Sequence, residues 1–174
     1  MRRIALLGII ALSLVASAGA AAGAPPKHAR SPIAIRSLDD TVLKMPLAKG
    51  VSPDDAVQSM KLRANLLNMH LVAELPLSRQ VSAITGKPSP YVTILQFCDA
   101  LTARRMLDDN LDFAAYLPCR IALVEDARGR GWLVMMDLDM ILNAADLSPG
   151  LKARALEVRD KLEDIMRAGA NGDL

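Results

Sequence analysis

Residues 91–139, "YVTILQFCDALTARRMLDDNLDFAAYLPCRIALVEDARGRGWLVMMDLD", decide how this chain folds. Tyr91 to Cys98 is rich in β-branched and aromatic side chains, the composition of a strand that packs well. Asp99 follows, a residue type whose carboxylate accepts the free N–H groups of a helix start. A helix is therefore expected from Ala100 to about Asn110, with Ala103, Met106 and Leu107 turned inward. "LPCRIALVED" is a second strand, introduced by Pro118, and "ARGRG" supplies Gly129 and Gly131 for a turn. "WLVMMDLD" returns as a third strand, so the last two form a hairpin and run antiparallel.

Both faces of these strands are apolar. Val92 and Ile94 oppose Tyr91, Leu95 and Phe97; Ile121 and Leu123 oppose Ala122 and Val124; Trp132, Val134 and Met136 oppose Leu133 and Met135. Helices can cover one face. The other calls for the remaining helices, a second subunit or a ligand, and a homodimer and a small ligand are the expected partners.

The flanks extend this pattern. "DDTVLKMPLA" reads as a strand, and Ser52-Pro53-Asp54-Asp55 is a helix start, with an N-cap, a proline at the first position and two acids in the first turn. Val57, Met60, Ala64 and Leu67 recur on one face of that helix, which should run to about Asn68. "MHLVAELPL" alternates, with Met69, Leu71, Ala73 and Leu75 on one side and His70, Val72 and Glu74 on the other. Pro76 ends it or sets it at an edge. A short helix from Leu77 to Ile84 and the turn-rich "TGKPSPY" lead back to Tyr91. Ser148-Pro149 opens a final helix whose stripe is Leu151, Ala155, Val158, Leu162 and Ile165, ending near Gly169. Strands and helices in this order argue an α+β fold: a mostly antiparallel sheet with helices packed on one face.

The N-terminus carries a different signal. "MRRIALLGIIALSLVASAGAAAGA" has a basic start, an apolar stretch from Ile4 to about Val15, and small-x-small triplets such as Ala16-Ser17-Ala18. This is the pattern of a signal peptide over residues 1–22, and the apolar stretch is shorter than the roughly 20 residues that comfortably span a bilayer. A periplasmic or secreted location follows as the expectation, with no membrane association after cleavage. Residues 23–38, holding Pro25, Pro26, Pro32 and His28, read as a linker, residues 39–145 as the domain, and 146–174 as a C-terminal helix and tail. With Arg2 and Arg3 removed, basic and acidic residues balance at 19 each, and only 3% of residues are aromatic. A nucleic-acid partner is not expected from that composition.

A strand ending in Cys98, a short helix, "YLPC" opening an apolar strand that ends in an acid, and a hairpin partner ending at Asp137 together resemble the domain-of-unknown-function 302 family. The resemblance covers roughly residues 40–145, and the Leu117-Pro118-Cys119 element is its most specific part. It implies an α+β fold of the TATA-binding-protein-like type, often dimeric, and no settled activity. This chain departs from the family pattern where Asp99-Ala100 replaces Asn-Pro, where Arg120 replaces Asn, and where Leu138 follows Asp137 in place of Pro.

Cys98 and Cys119 are the chain's two cysteines. Export would put them in an oxidising compartment, where a disulfide closing a loop of about 20 residues contributes roughly 3 kcal/mol. Packed thiols, a ligand or metal pair and a redox-active pair stay open beside it. The spacing is neither CxxC nor CxxCH, so a thioredoxin-like motif and covalent c-type haem are not expected. Soft ligation of zinc or copper could use His70, Cys98 and Cys119, and Asp99 and Asp137 are candidate ligand-binding residues beside the cysteines. Asp137 and Asp139 form a DxD pattern at a strand end. One histidine outside the linker and carboxylates without a mate argue against an enzyme. The expectation is an exported binding or accessory protein holding a small ligand, metal or sulfur species at a two-cysteine site. The alternatives are a structural homodimer and a thiol-dependent redox enzyme.

Overall fold

The computed structural model describes residues 38–173, so the expected signal peptide and nearly all of the expected linker lie outside the described residues. Five strands form one antiparallel sheet: β1 (Val42–Pro46), β2 (His70–Leu75), β3 (Val92–Cys98), β4 (Cys119–Glu125) and β5 (Gly131–Met136), in the order β1-β5-β4-β3-β2. Five helices accompany it: α1 (Pro53–Leu66), α2 (Leu77–Thr85), α3 (Ala100–Asp109), α4 (Leu138–Ala144) and α5 (Pro149–Asn171). The architecture is the single-domain α+β fold expected from the sequence, and it is compatible with the TATA-binding-protein-like type.

The caps form as their residue types dictate. Ser52 accepts from the Asp55 N–H, Asp99 from Thr102 and Ser148 from Leu151. The β4–β5 turn is fixed by Asp126, whose carboxylate accepts from the Arg128 and Arg130 N–H groups at 2.8 and 3.0 Å and from Trp132 Nε1 at 3.1 Å. Those donors, the Arg130 N–H first among them, hold the Asp126 carboxyl well below the usual carboxylate range.

One face of the sheet carries the main core. Leu95, Ile121 and Met135 are cross-strand neighbours in one row, and Leu123 and Leu133 lie in the next. All five are buried against α1 and α5, which contribute Met60, Leu162, Ile165 and Met166. Each fully buried side chain of this kind contributes about 1.5–3 kcal/mol. Thus α5 belongs to the core of the domain. The two helices approach so closely that a Cβ on Gly169 would lie 2.5 Å from Met60 Cγ and 3.2 Å from the Ala56 carbonyl oxygen.

The other face bears Val92–Val124–Trp132–Pro46 in one cross-strand row and Leu75–Ile94–Ala122–Val134–Lys44 in the next. Between Lys44 and Leu75 at its ends, the second row holds three half-buried apolar residues, so the two-faced apolar pattern is real and no helix among the described residues fully covers this side.

Two details differ from the sequence reading. A bulge between Leu71 and Ala73 changes the phase of β2. Leu71 pairs with Phe97 on the helix side, whereas Ala73 and Leu75 pair with Gln96 and Ile94 on the open side. Glu74 is thereby turned toward α1, where it meets Lys61 at 2.7 Å. The hairpin strand also stops at Met136. The Asp137 carboxylate accepts from the Asp139 N–H at 2.9 Å and starts α4, so the DxD pair sits on a helix cap and not on a strand face.

Candidate functional site

A second, smaller core forms beyond the Cys98 end of the sheet. Met106 of α3, Phe113 of the 3₁₀ turn Leu111–Ala115, Leu142 of α4 and Ala155 of α5 are its buried members. Between this cluster and the sheet lies an apolar cavity of about 70 Å³. Its wall includes Phe97, Cys98, Asp99, Thr102, Ala103, Tyr116, Cys119, Leu138, Ile141 and Val158.

The strands bring both cysteines to this end of the sheet. Cys98 is the last residue of β3 and Cys119 the first of β4, and the two strands pair with Phe97 opposite Cys119. Cys98 is therefore offset by one residue from Cys119. Because successive side chains alternate across a sheet, a direct bridge would require the end of β3 to turn. Both are free thiols. The Leu117–Pro118 peptide leading into Cys119 is cis.

Electrostatics set the character of the pair. Burial pushes the Cys119 thiol up to about 11, and the neighbouring Cys98 adds to the effect. Burial also raises Cys98, with Asp99 adding to it. Both sulfurs are consequently neutral near pH 7, soft and weakly polar, in a wall that is otherwise almost wholly apolar.

Of the residues expected at the site, Cys98, Cys119 and Asp99 line this cavity and Asp137 does not. Asp99 is occupied as the α3 cap, its Oδ1 accepting from Thr102 at 3.0 Å. Asp137 caps α4, and Asp139 pairs with Arg159 of α5. His70 is the cross-strand partner of Cys98 on the edge strand, but it is exposed and makes no hydrogen bond to the thiol. Among the described residues no three His, Cys, Asp or Glu side chains are placed to hold a metal ion. His70, Cys98 and Cys119 are not brought together as a ligand set, because His70 sits on the exposed edge and the two cysteines lie one register step apart.

Sequence reading missed Thr102, Phe113, Tyr116, Leu138, Ile141 and Leu142 as parts of the wall. The signal for the last three was present: Asp137 as an N-cap followed by Leu138, Ile141 and Leu142 at helical spacing.

Fold and cavity together define a small α+β domain with a partly open apolar site between one end of its sheet and three helices. The family described as Domain of unknown function DUF302 matches residues 43–169, and the chain belongs to it. The crystal structure of an uncharacterized conserved protein DUF302 from Bacillus stearothermophilus is similar, with a TM-score of 0.61 at 16% sequence identity, covering 74% of this chain and 97% of that one. No curated protein matches the chain.

Proposed function

We propose that this domain is an exported binding module that holds a small, neutral, apolar or sulfur-bearing molecule in the two-cysteine cavity. One observation carries the reading: both cysteines, as neutral thiols, line the same apolar cavity. Its volume of about 70 Å³ is under half that of an apolar cavity of about 150 Å³ that takes benzene. A ligand of about three or four heavy atoms suits that space. The raised thiols count against nucleophilic catalysis, which needs a thiolate, and among the described residues no general base is hydrogen-bonded to either. The N-terminal basic-apolar-small pattern supports export, and no helix among the described residues is long and apolar enough to cross a membrane.

Dimethyl sulfide is a suitable probe, followed by NMR on the full chain. It should give saturable shifts at Met106, Phe113 and Leu142. Ala103→Leu, which fills the cavity, should remove them, and Cys98→Ser/Cys119→Ser should weaken binding at least fivefold. No saturable shift, or shifts indifferent to Ala103→Leu, would end this reading.

A second reading, a homodimer, is favoured by a separate feature. Leu77, Val81 and Ile84, at helical spacing, form one exposed face of α2, and Val72 and Leu75 of the edge strand β2 are exposed as well. Among the described residues the outer edge of β2 has no neighbouring strand. A two-fold axis would place two such strips against each other.

A further inference from the structure

We propose that the groove on the open face of the sheet is a second binding site, for an aliphatic carboxylate, with Arg120 as the anchor for the head group. The groove has a volume of about 420 Å³, within the roughly 300–1,000 Å³ range of small-molecule sites. Its floor is the row Ile94–Ala122–Val134, which crosses β3, β4 and β5. Three strands spaced about 4.8 Å apart give about 10 Å of apolar floor. Ala122, the smallest side chain of the row, lies at its centre, so the floor is lowest there. Met136 and Met140 border it with unbranched, adaptable side chains.

Charge selects the occupant. Arg120 is exposed on this face, and its cross-strand partner is the neutral Gln96. Among the described residues it has no carboxylate within ion-pair distance. Two other cations on the same face are already paired, Lys44 with Asp39 and Arg130, over the Trp132 ring, with Asp126. A planar guanidinium standing free beside an apolar floor matches a carboxylate joined to an alkyl chain: two parallel N–H donors for the head, and aliphatic contact for the tail. A neutral amphiphile forgoes the first interaction, and an amine is repelled by it.

This site is distinct from the inner cavity, although Tyr116, Cys119 and Leu138 border both. Its test is calorimetric titration of the full chain with octanoate, octan-1-ol and octylamine. Octanoate should bind saturably, at least tenfold more tightly than octan-1-ol, and octylamine should not bind. Arg120→Gln should weaken octanoate at least tenfold and leave octan-1-ol unchanged. Ala122→Phe, checked for an unaltered circular dichroism spectrum, should weaken both, whereas Ala103→Leu in the inner cavity should leave octanoate binding intact. Equal affinity for octanoate and octan-1-ol, or an Arg120→Gln variant that binds octanoate normally, overturns the proposal. So does an absence of binding, including the case in which a second copy covers the face and Val134→Asp converts a dimer to monomer.

Discussion

At the scale of single residues, the cysteines set the chemistry through what surrounds them. A thiol held at about 11 has about one molecule in a thousand ionised at pH 8, against about one in four for an ordinary cysteine near 8.5. Iodoacetamide should therefore modify Cys119 in the native protein on the order of a hundredfold more slowly than in the denatured chain, as followed by mass spectrometry. The stability consequence has a definite sign. A raised thiol favours the folded state while it is neutral, so its contribution is complete below about pH 8.5 and disappears as the pH rises through about 11. Cys119→Ala should flatten the alkaline decline in denaturation midpoint across that window. A Cys119 that alkylates at the denatured rate would show that the cavity does not shield it. Chain position alone could not separate these behaviours. The sequence places Cys98 and Cys119 at neighbouring strand ends, but whether each sulfur is charged depends on side chains from four other segments.

At the scale of elements, the long helix α5 contains the same residue type in two opposite environments. Gly150, in its first turn, has nothing within 4 Å of the place a methyl group would take, whereas at Gly169 that place is already crowded by Met60 and the Ala56 carbonyl. Alanine is favoured over glycine in a helix by about 1 kcal/mol. Gly150→Ala should accordingly stabilise by about 0.5–1 kcal/mol. At Gly169 the same gain is opposed by overpacking of about 1–3 kcal/mol, and Gly169→Ala should destabilise by about 1 kcal/mol. Urea denaturation of both variants checks the pair, and a stabilised Gly169→Ala would mean that α1 and α5 can separate freely. Helix starts were the most legible elements, since Ser52, Asp99 and Ser148 each cap where their side chains permit. The fourth cap, Asp137, was hidden because Met136-Asp137-Leu138-Asp139 alternates apolar and polar, so the stretch reads as strand past the point where the strand ends. The cap shows only in the helical spacing of Leu138, Ile141 and Leu142 that follows it, which the period-two reading passes over.

At the scale of the whole molecule, the sheet is the frame on which both candidate sites are hung, the apolar cavity at one end and the groove across the open face. Its strands and mostly antiparallel character were readable because alternation and turn chemistry are local, whereas the order in which the strands lie side by side was not read. The second cluster of Met106, Phe113, Leu142 and Ala155 was not, since it gathers residues up to 49 positions apart from segments with no shared period. The exposed strip of Leu75, Leu77, Val81 and Ile84 makes a prediction at this scale. Sedimentation velocity should find twice the monomer mass at micromolar concentration, and Val81→Asp/Ile84→Asp should halve it without altering thermal stability of the monomer by more than about 0.5 kcal/mol, as for other surface changes. A wild-type chain that sediments as a monomer at all concentrations would remove the dimer reading.

The bulge in β2 bears on how relatives of this chain can be compared. Leu71 opposes Phe97 and Ala73 opposes Gln96, so Val72 has no counterpart on β3. A homologous strand lacking that single residue would keep Phe97, Gln96, Leu95 and Ile94 in their present pairings, and would differ only in local twist. An alignment gap at position 72 is thus structurally neutral. A gap one position beyond the bulge, at Glu74, would instead carry Leu75 to the opposite side of the sheet or force a new kink. Where an alignment places its gap in this strand is consequently a question about pleat phase, and shared letters alone are a poor guide to it.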